Sequence, residues 1–175
     1  MTRIILIGYM GAGKTTIGRI LAESLSLPFY DLDWYIEERQ RRTVAQIFAD
    51  QGENGFREIE RRALHEAAEF EDIVLACGGG TPCFFDNMEY MNRQARTVYL
   101  KASPEVLLRH LKMSRTERPL LKDKTEEEVR QYIRESLAAR EPFYSQARHT
   151  LDIDVLDNRD KIKDTVRMLR ELLNL

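Results

Sequence analysis

The stretch Gly8-Tyr9-Met10-Gly11-Ala12-Gly13-Lys14-Thr15 constrains the fold of this chain more than any other. It spells Gly-x-x-x-x-Gly-Lys-[Ser/Thr], a phosphate-binding loop, and its flanks supply the context that gives the pattern meaning. Ahead of it, Arg3-Ile4-Ile5-Leu6-Ile7 is a short apolar, β-branched run of the kind that forms a buried parallel strand. Behind it, Ile17, Ile20, Leu21 and Leu25 recur at helical spacing. In a strand–loop–helix unit the glycines let backbone N–H groups face phosphate oxygens, with the positive end of the helix behind them. Lys14 is expected to reach the β- and γ-phosphates, and Thr15 to place its hydroxyl on Mg²⁺. The chain is therefore expected to bind a nucleoside triphosphate.

A length of 175 residues suits one domain, 1–175, with a core that needs neither metal nor disulfide. A charged fraction of 32% beside a hydrophobic fraction of 43% excludes a disordered or membrane protein. The net charge of -2 gives no basic field for nucleic acid, so an anion site has to be built locally from arginine and lysine. Cys77 and Cys83 lack the paired spacing of a zinc site and read as buried thiols in a reducing compartment. No apolar run approaches the ~20 residues of a membrane span. The phosphate-loop strand also lies where a signal peptide would. The expectation is a cytoplasmic monomer with small-molecule partners, without nucleic acid or membrane.

Short apolar strands alternate with longer helical segments, the pattern of an α/β protein with a parallel sheet between helices. Strands are expected at 3–7, 28–31, 73–77 and 97–100. Leu151, Ile153 and Val155 alternate with Asp152 and Asp154, which predicts an edge strand with one solvated face. Ser103-Pro104-Glu105 marks a helix start. Thr125 with Glu128 reads as a capping box opening a helix to about Ala147. The polar segment between these helices, about 113–124, contains Pro119 and reads as a mobile lid that keeps water from the phosphoryl group.

Asp31 and Asp33 stand two apart at the end of the second strand, where both carboxylates can face one site. One could support Mg²⁺ and the other accept the proton of an attacking hydroxyl, while a purely structural alternative has Asp33 capping the next helix. Gly78-Gly79-Gly80 follows the third strand directly, more glycine than a turn needs, which argues for close approach to the backbone. Arg57, Arg118 and Arg140 are the guanidinium candidates, and His65, His110 and His149 have no spacing for metal or nucleophilic chemistry.

Taken in order, the phosphate loop with Met10, Asp31-x-Asp33, Ile47-Phe48, Gly52-Glu53-x-x-Phe56-Arg57-x-x-Glu60, the triple glycine, Arg118-Pro119-Leu120-Leu121 and Arg140-x-Pro-x-Tyr144 resemble shikimate kinase. The resemblance runs from the first strand to about residue 145. It implies a P-loop three-layer sandwich with a five-stranded parallel sheet in the order 2-3-1-4-5, and transfer of the ATP γ-phosphoryl group to the 3-hydroxyl of shikimate. By the same resemblance, Gly11, Ala12, Gly13, Lys14, Thr15 and Thr16 hold ATP phosphates, and Thr15 with Asp31 serves Mg²⁺. Asp33 is implied as the base and a substrate ligand, Arg57, Gly79 and Arg140 hold the substrate carboxylate, and Arg118 reaches ATP from the lid. Lys14 and Arg118 join Asp33 as the implied catalytic set. Phe48 and Phe56 resemble an aromatic wall. A related small-metabolite kinase, such as a gluconate kinase, is the alternative. A guanine-nucleotide switch is disfavoured because the chain lacks Asn-Lys-x-Asp.

Overall fold

Strand β1 (Arg3–Ile7) lies at the centre of the sheet, because Ile4, Ile5, Leu6 and Ile7 are all fully buried and both its faces must be covered. The computed structural model describes residues 1–114 and 122–175. The remaining strands are β2 (Phe29–Asp31), β3 (Ile73–Ala76), β4 (Arg96–Ala102) and β5 (His149–Ile153). They form one parallel sheet in the order β2-β3-β1-β4-β5. Ile5 stands opposite Leu75 on one side and Thr97 on the other. On β5, buried Leu151 and Ile153 alternate with exposed Thr150 and Asp152, the expected edge pattern. Val155 is buried too, but it lies beyond the last ladder residue.

Seven helices are described: α1 (Lys14–Leu25), α2 (Leu32–Gln40), α3 (Val44–Ala67), α4 (Asn87–Gln94), α5 (Pro104–Met113), α6 (Glu126–Tyr144) and α7 (Arg159–Leu173). A 3₁₀ turn covers Thr81–Cys83. Helix α1 packs on α7, α2 on α3, and α5 on α6. Ser103 caps α5 as expected, accepting from Val106 N–H. Thr125 accepts from Glu128 N–H, which is the first half of the predicted box. The reciprocal box is found instead at α3, where Thr43 accepts from Gln46 N–H and the Gln46 side chain accepts from Thr43 N–H. Helix α6 stops at Tyr144, three residues short of expectation, and accommodates Pro142 inside its last turn.

Helix α3 is two helices joined at Gly52, whose φ of 68° and ψ of -177° are open essentially to glycine alone. On a straight helix Phe48 and Phe56 would be separated by a rise of about 12 Å. The bend brings their ring centroids to 4.5 Å, and the second arm carries Arg57 toward the triple glycine. Since every strand is parallel, the ends of β1, β2, β3 and β5 open on one side of the sheet, where ligands bind in open α/β folds.

Candidate active site

The turn after β1 is built for an anion. Gly8, Gly11 and Gly13 have φ of 151°, 83° and 100°, conformations that L side chains rarely adopt. At Gly13 a Cβ would also fall 2.6 Å from Leu156 Cδ1. Gly13 is the N-cap of α1 and offers no side chain, whereas α2, α3, α5, α6 and α7 all carry a side-chain cap. No side chain therefore caps the N-terminus of α1, the arrangement in which a helix N-terminus receives an anion. Lys14 Nζ lies along the loop and donates to Gly8 O at 2.6 Å and Tyr9 O at 3.0 Å, so its charge is positioned before any phosphate arrives.

Asp31 and Asp33 meet this loop, but not by strand alternation. Asp31 ends β2, and Asp33 already belongs to α2. Asp31, not Asp33, caps that helix: its Oδ1 accepts from Asp33 N–H at 3.0 Å and Trp34 N–H at 3.2 Å. Its Oδ2 accepts from the Thr15 hydroxyl at 3.0 Å. The cap reading of Asp33 is therefore corrected, and its carboxylate is released to face the cavity. Burial comes first among the causes that push the Asp33 carboxyl up to about 6, followed by the charges of Asp31 and Glu60, with Lys14 opposing them. A carboxyl so placed takes up and releases a proton near neutral pH.

The triple glycine makes room for side chains of this chain as well as for a ligand. A Cβ on Gly80 would lie 2.5 Å from Arg57 Nη2, and one on Gly79 would lie 3.0 Å from Arg140 Nη1. Both guanidinium groups therefore converge on this turn. Arg57 is buried, donates through Nη1 to Glu60 Oε1 at 3.0 Å and Oε2 at 3.2 Å, and lies over the Phe84 ring at 4.2 Å. Its Nε has no partner among the described residues. Glu60 also accepts from Thr81 Oγ1 at 2.9 Å. Burial raises the Glu60 carboxyl above its ordinary value, against the pull of Arg57 and the Thr81 hydroxyl. Arg140 sits over the Tyr9 ring at 5.5 Å, and Tyr144 donates its hydroxyl to Gly79 O at 2.6 Å.

These parts border a cavity of about 480 Å³. Lys14, Thr15, Thr16, Asp31 and Asp33 line it with Gly11, Gly13, Gly78 and Gly79. Ala12 is buried beneath the loop. Arg57 and Arg140 flank the Gly79–Gly80 end, and Phe48 and Phe56 stack beside Arg57. Arg118 and the core of the expected lid, residues 115–121, lie outside the described residues. Glu60 and Tyr144 stand in the sequence motifs without a chemical role that the sequence alone assigns. Their signal was the spacing, three residues after Arg57 and four after Arg140, which puts each beside its arginine on a helix. His110, whose spacing suits neither metal nor nucleophilic chemistry, lines the opposite end of the cavity with Met113, Leu156 and Ile162, on the β4–β5 side of the sheet. His65 and His149 stay apart from it, His65 stacked on Tyr90 at 3.7 Å. Cys77 is a buried free thiol as expected, whereas Cys83 is only partly buried.

Among the described residues no group of three or more His, Cys, Asp or Glu side chains could hold a metal ion by itself. Thr15 and Asp31 nevertheless offer hard oxygen donors in contact with each other, which fits Mg²⁺ held chiefly by phosphates and water.

The family model described as shikimate kinase matches residues 10–170. A shikimate kinase of Phocaeicola vulgatus is 56% identical over 174 residues, 99% of each chain. The crystal structure of shikimate kinase from Bacteroides thetaiotaomicron superposes with a TM-score of 0.97 at 51% identity, covering 99% of both chains. The Acinetobacter baumannii enzyme, solved in complex with shikimate, gives 0.85 at 34% identity, covering 99% of this chain and 94% of that one. A gluconokinase from Sinorhizobium meliloti covers 99% of this chain and 95% of its own. It reaches only 0.59 at 18% identity, a likeness of fold alone.

Proposed function

Since the chain belongs to the shikimate kinase family, we propose that Asp33 is the base of its reaction and that the surrounding loops divide the work of positioning. The enzyme transfers the γ-phosphoryl group of ATP to the 3-hydroxyl of shikimate, a step of aromatic amino acid biosynthesis. The observation that carries the assignment is the Asp33 carboxyl, pushed up to about 6 by burial and by Asp31 and Glu60, between the phosphate loop and the triple glycine.

The phosphates lie in the loop from Gly11 to Thr16, where Lys14 exchanges the Gly8 and Tyr9 carbonyls for phosphate oxygens. The 3-hydroxyl oxygen bonds to the γ-phosphorus as the bond from that phosphorus to the β–γ bridging oxygen breaks, and the hydroxyl proton passes to Asp33. Phosphoryl transfer asks for positioning and charge neutralisation more than for covalent chemistry. Arg57, beside Gly80, and Arg140, beside Gly79, supply the positioning by gripping the substrate carboxylate, a task suited to guanidinium forks. Phe48 and Phe56 wall the ring. Mg²⁺, when bound, neutralises phosphate charge, and Thr15 and Asp31 are the residues that would hold it. The resemblance supports a contact from Arg118 to ATP.

No described helix is long and apolar enough to cross a membrane. One continuous core supports a single domain over 1–175, and two free cysteines suit a reducing compartment such as the cytoplasm. An ADP-release assay with shikimate, gluconate and AMP in parallel tests the function. Turnover is expected with shikimate, and equal or greater turnover with gluconate or AMP would overturn the reading.

A further inference from the structure

We propose that His110 is a positioning residue for the nucleotide, because its ring ties the phosphate loop to the segment after β5 and sets the gap between them. His110 stands on the last turn of α5. Its Nδ1 lies 2.6 Å from Gly11 O, and its Nε2 lies 2.8 Å from Leu156 N. A carbonyl only accepts and an amide N–H only donates, so Nδ1 must carry the proton and Nε2 must be bare. The Nδ1–H tautomer of the neutral ring satisfies both partners. The pair of bonds joins segments 99 and 46 residues from the histidine in sequence.

The consequence falls on one end of the cavity. With its N–H held, Leu156 packs against the phosphate loop so closely that a Cβ on Gly13 would meet its Cδ1 at 2.6 Å. Leu156, Ile162 and Met113 are the apolar part of the cavity lining beside His110, while Asp33 and Gly79 lie at the far end. If the arginine-flanked end takes the acceptor and the loop takes the phosphates, the nucleoside has only the His110 end to occupy. The inference rests on that reading of the loop. A second tie exists, since Asp157 pairs with Arg109 at 3.1 Å and Lys161 at 3.0 Å, but both cations are about half exposed and such pairs contribute little. The half-buried histidine therefore carries the link.

Calorimetric titration of the full chain with ADP, and separately with shikimate, tests this. His110→Ala is expected to weaken ADP roughly five- to fiftyfold, the range for losing two hydrogen bonds and leaving Leu156 N–H unpaired. Shikimate affinity is expected to stay within about twofold, because no bond of His110 reaches the acceptor end. His110→Asn keeps a donor near Nδ1, and His110→Gln places an acceptor near Nε2. Each should recover part of the loss and neither all of it. In steady-state assays the effect should appear in KM for ATP more than in kcat. Unchanged ADP affinity in His110→Ala overturns the proposal, as does equal weakening of ADP and shikimate, which would make the residue a general strut. Lys14→Ala serves as the control. If it loses ADP while His110→Ala does not, only the histidine's role falls. If Lys14→Ala itself keeps full ADP affinity, the reading of the loop falls with it.

Discussion

Asp33→Asn keeps the shape of the side chain but cannot accept a proton, so kcat is expected to fall by ~10²–10⁴ while ATP affinity stays nearly constant. A variant retaining more than half of the wild-type kcat would remove the base assignment. The same assignment predicts that turnover of the native enzyme falls as pH drops through about 6, where Asp33 becomes protonated. Gly80→Ala isolates a different contribution. Gly80 has φ of -88° and ψ of -15°, an ordinary backbone, so alanine brings no strain there. Its Cβ would instead displace the Arg57 guanidinium, 2.5 Å away. KM for shikimate is expected to rise roughly tenfold, the scale of one charge-assisted contact, together with a loss of stability as the buried Arg57–Glu60 pair is disturbed. An unchanged KM would mean that Arg57 does not hold the substrate in its present position. Lys14, Asp33, Arg57 and Arg140 were legible in the sequence because their motifs name them. Glu60 as the clamp on Arg57, Tyr144 as the hold on Gly79 and His110 as a tie to Leu156 were not, because each acts through a partner that only the fold brings near. The division of labour between Asp31 and Asp33 was legible only as a pair, since one helical turn decides which carboxylate caps and which is left free.

Most elements announced themselves through caps and periodicity. Ser103-Pro104 and the alternation of β5 are read correctly because they are local signals. The bend of α3 was not legible, since a single glycine within a helical pattern is compatible with a straight helix that tolerates it. At Gly52 a Cβ would meet nothing within 4 Å, so glycine is required there by backbone conformation alone. Gly52→Ala is therefore expected to destabilise the protein by about 1–3 kcal/mol through strain. Because the bend sets the approach of Phe48 to Phe56 and the path to Arg57, KM for shikimate should rise while KM for ATP holds. Thermal unfolding and steady-state kinetics check the two halves of this prediction. A melting temperature within about 1 °C of wild type, below the roughly 2 °C that the smallest such cost implies, would show that the two arms tolerate another geometry.

For the whole molecule, the site is a place where the fold gives up stability. Asp33 and Glu60 both have carboxyls raised above their ordinary values, chiefly by burial. A carboxyl raised in the native state binds more protons folded than unfolded, so its contribution to stability is full below the unfolded value and is lost as pH rises through the folded one. For Asp33 that window runs from 3.8 to about 6. Activity needs the ionised form, and stability favours the protonated one, so the two respond to pH in opposite directions across the same window. Asp33→Asn removes this term along with the repulsion from Asp31. The variant is expected to be more stable than the native enzyme at pH 8 by about 1–2 kcal/mol, less than the full shift implies because the carboxylate keeps some contact with water. At this chain length that corresponds to a rise of roughly 2–8 °C in melting temperature. At pH 4 the advantage should shrink toward zero, since the native carboxyl is then protonated in the folded state. A difference between the two proteins that stays constant from pH 4 to pH 8 would show that packing, not the charge of Asp33, sets it.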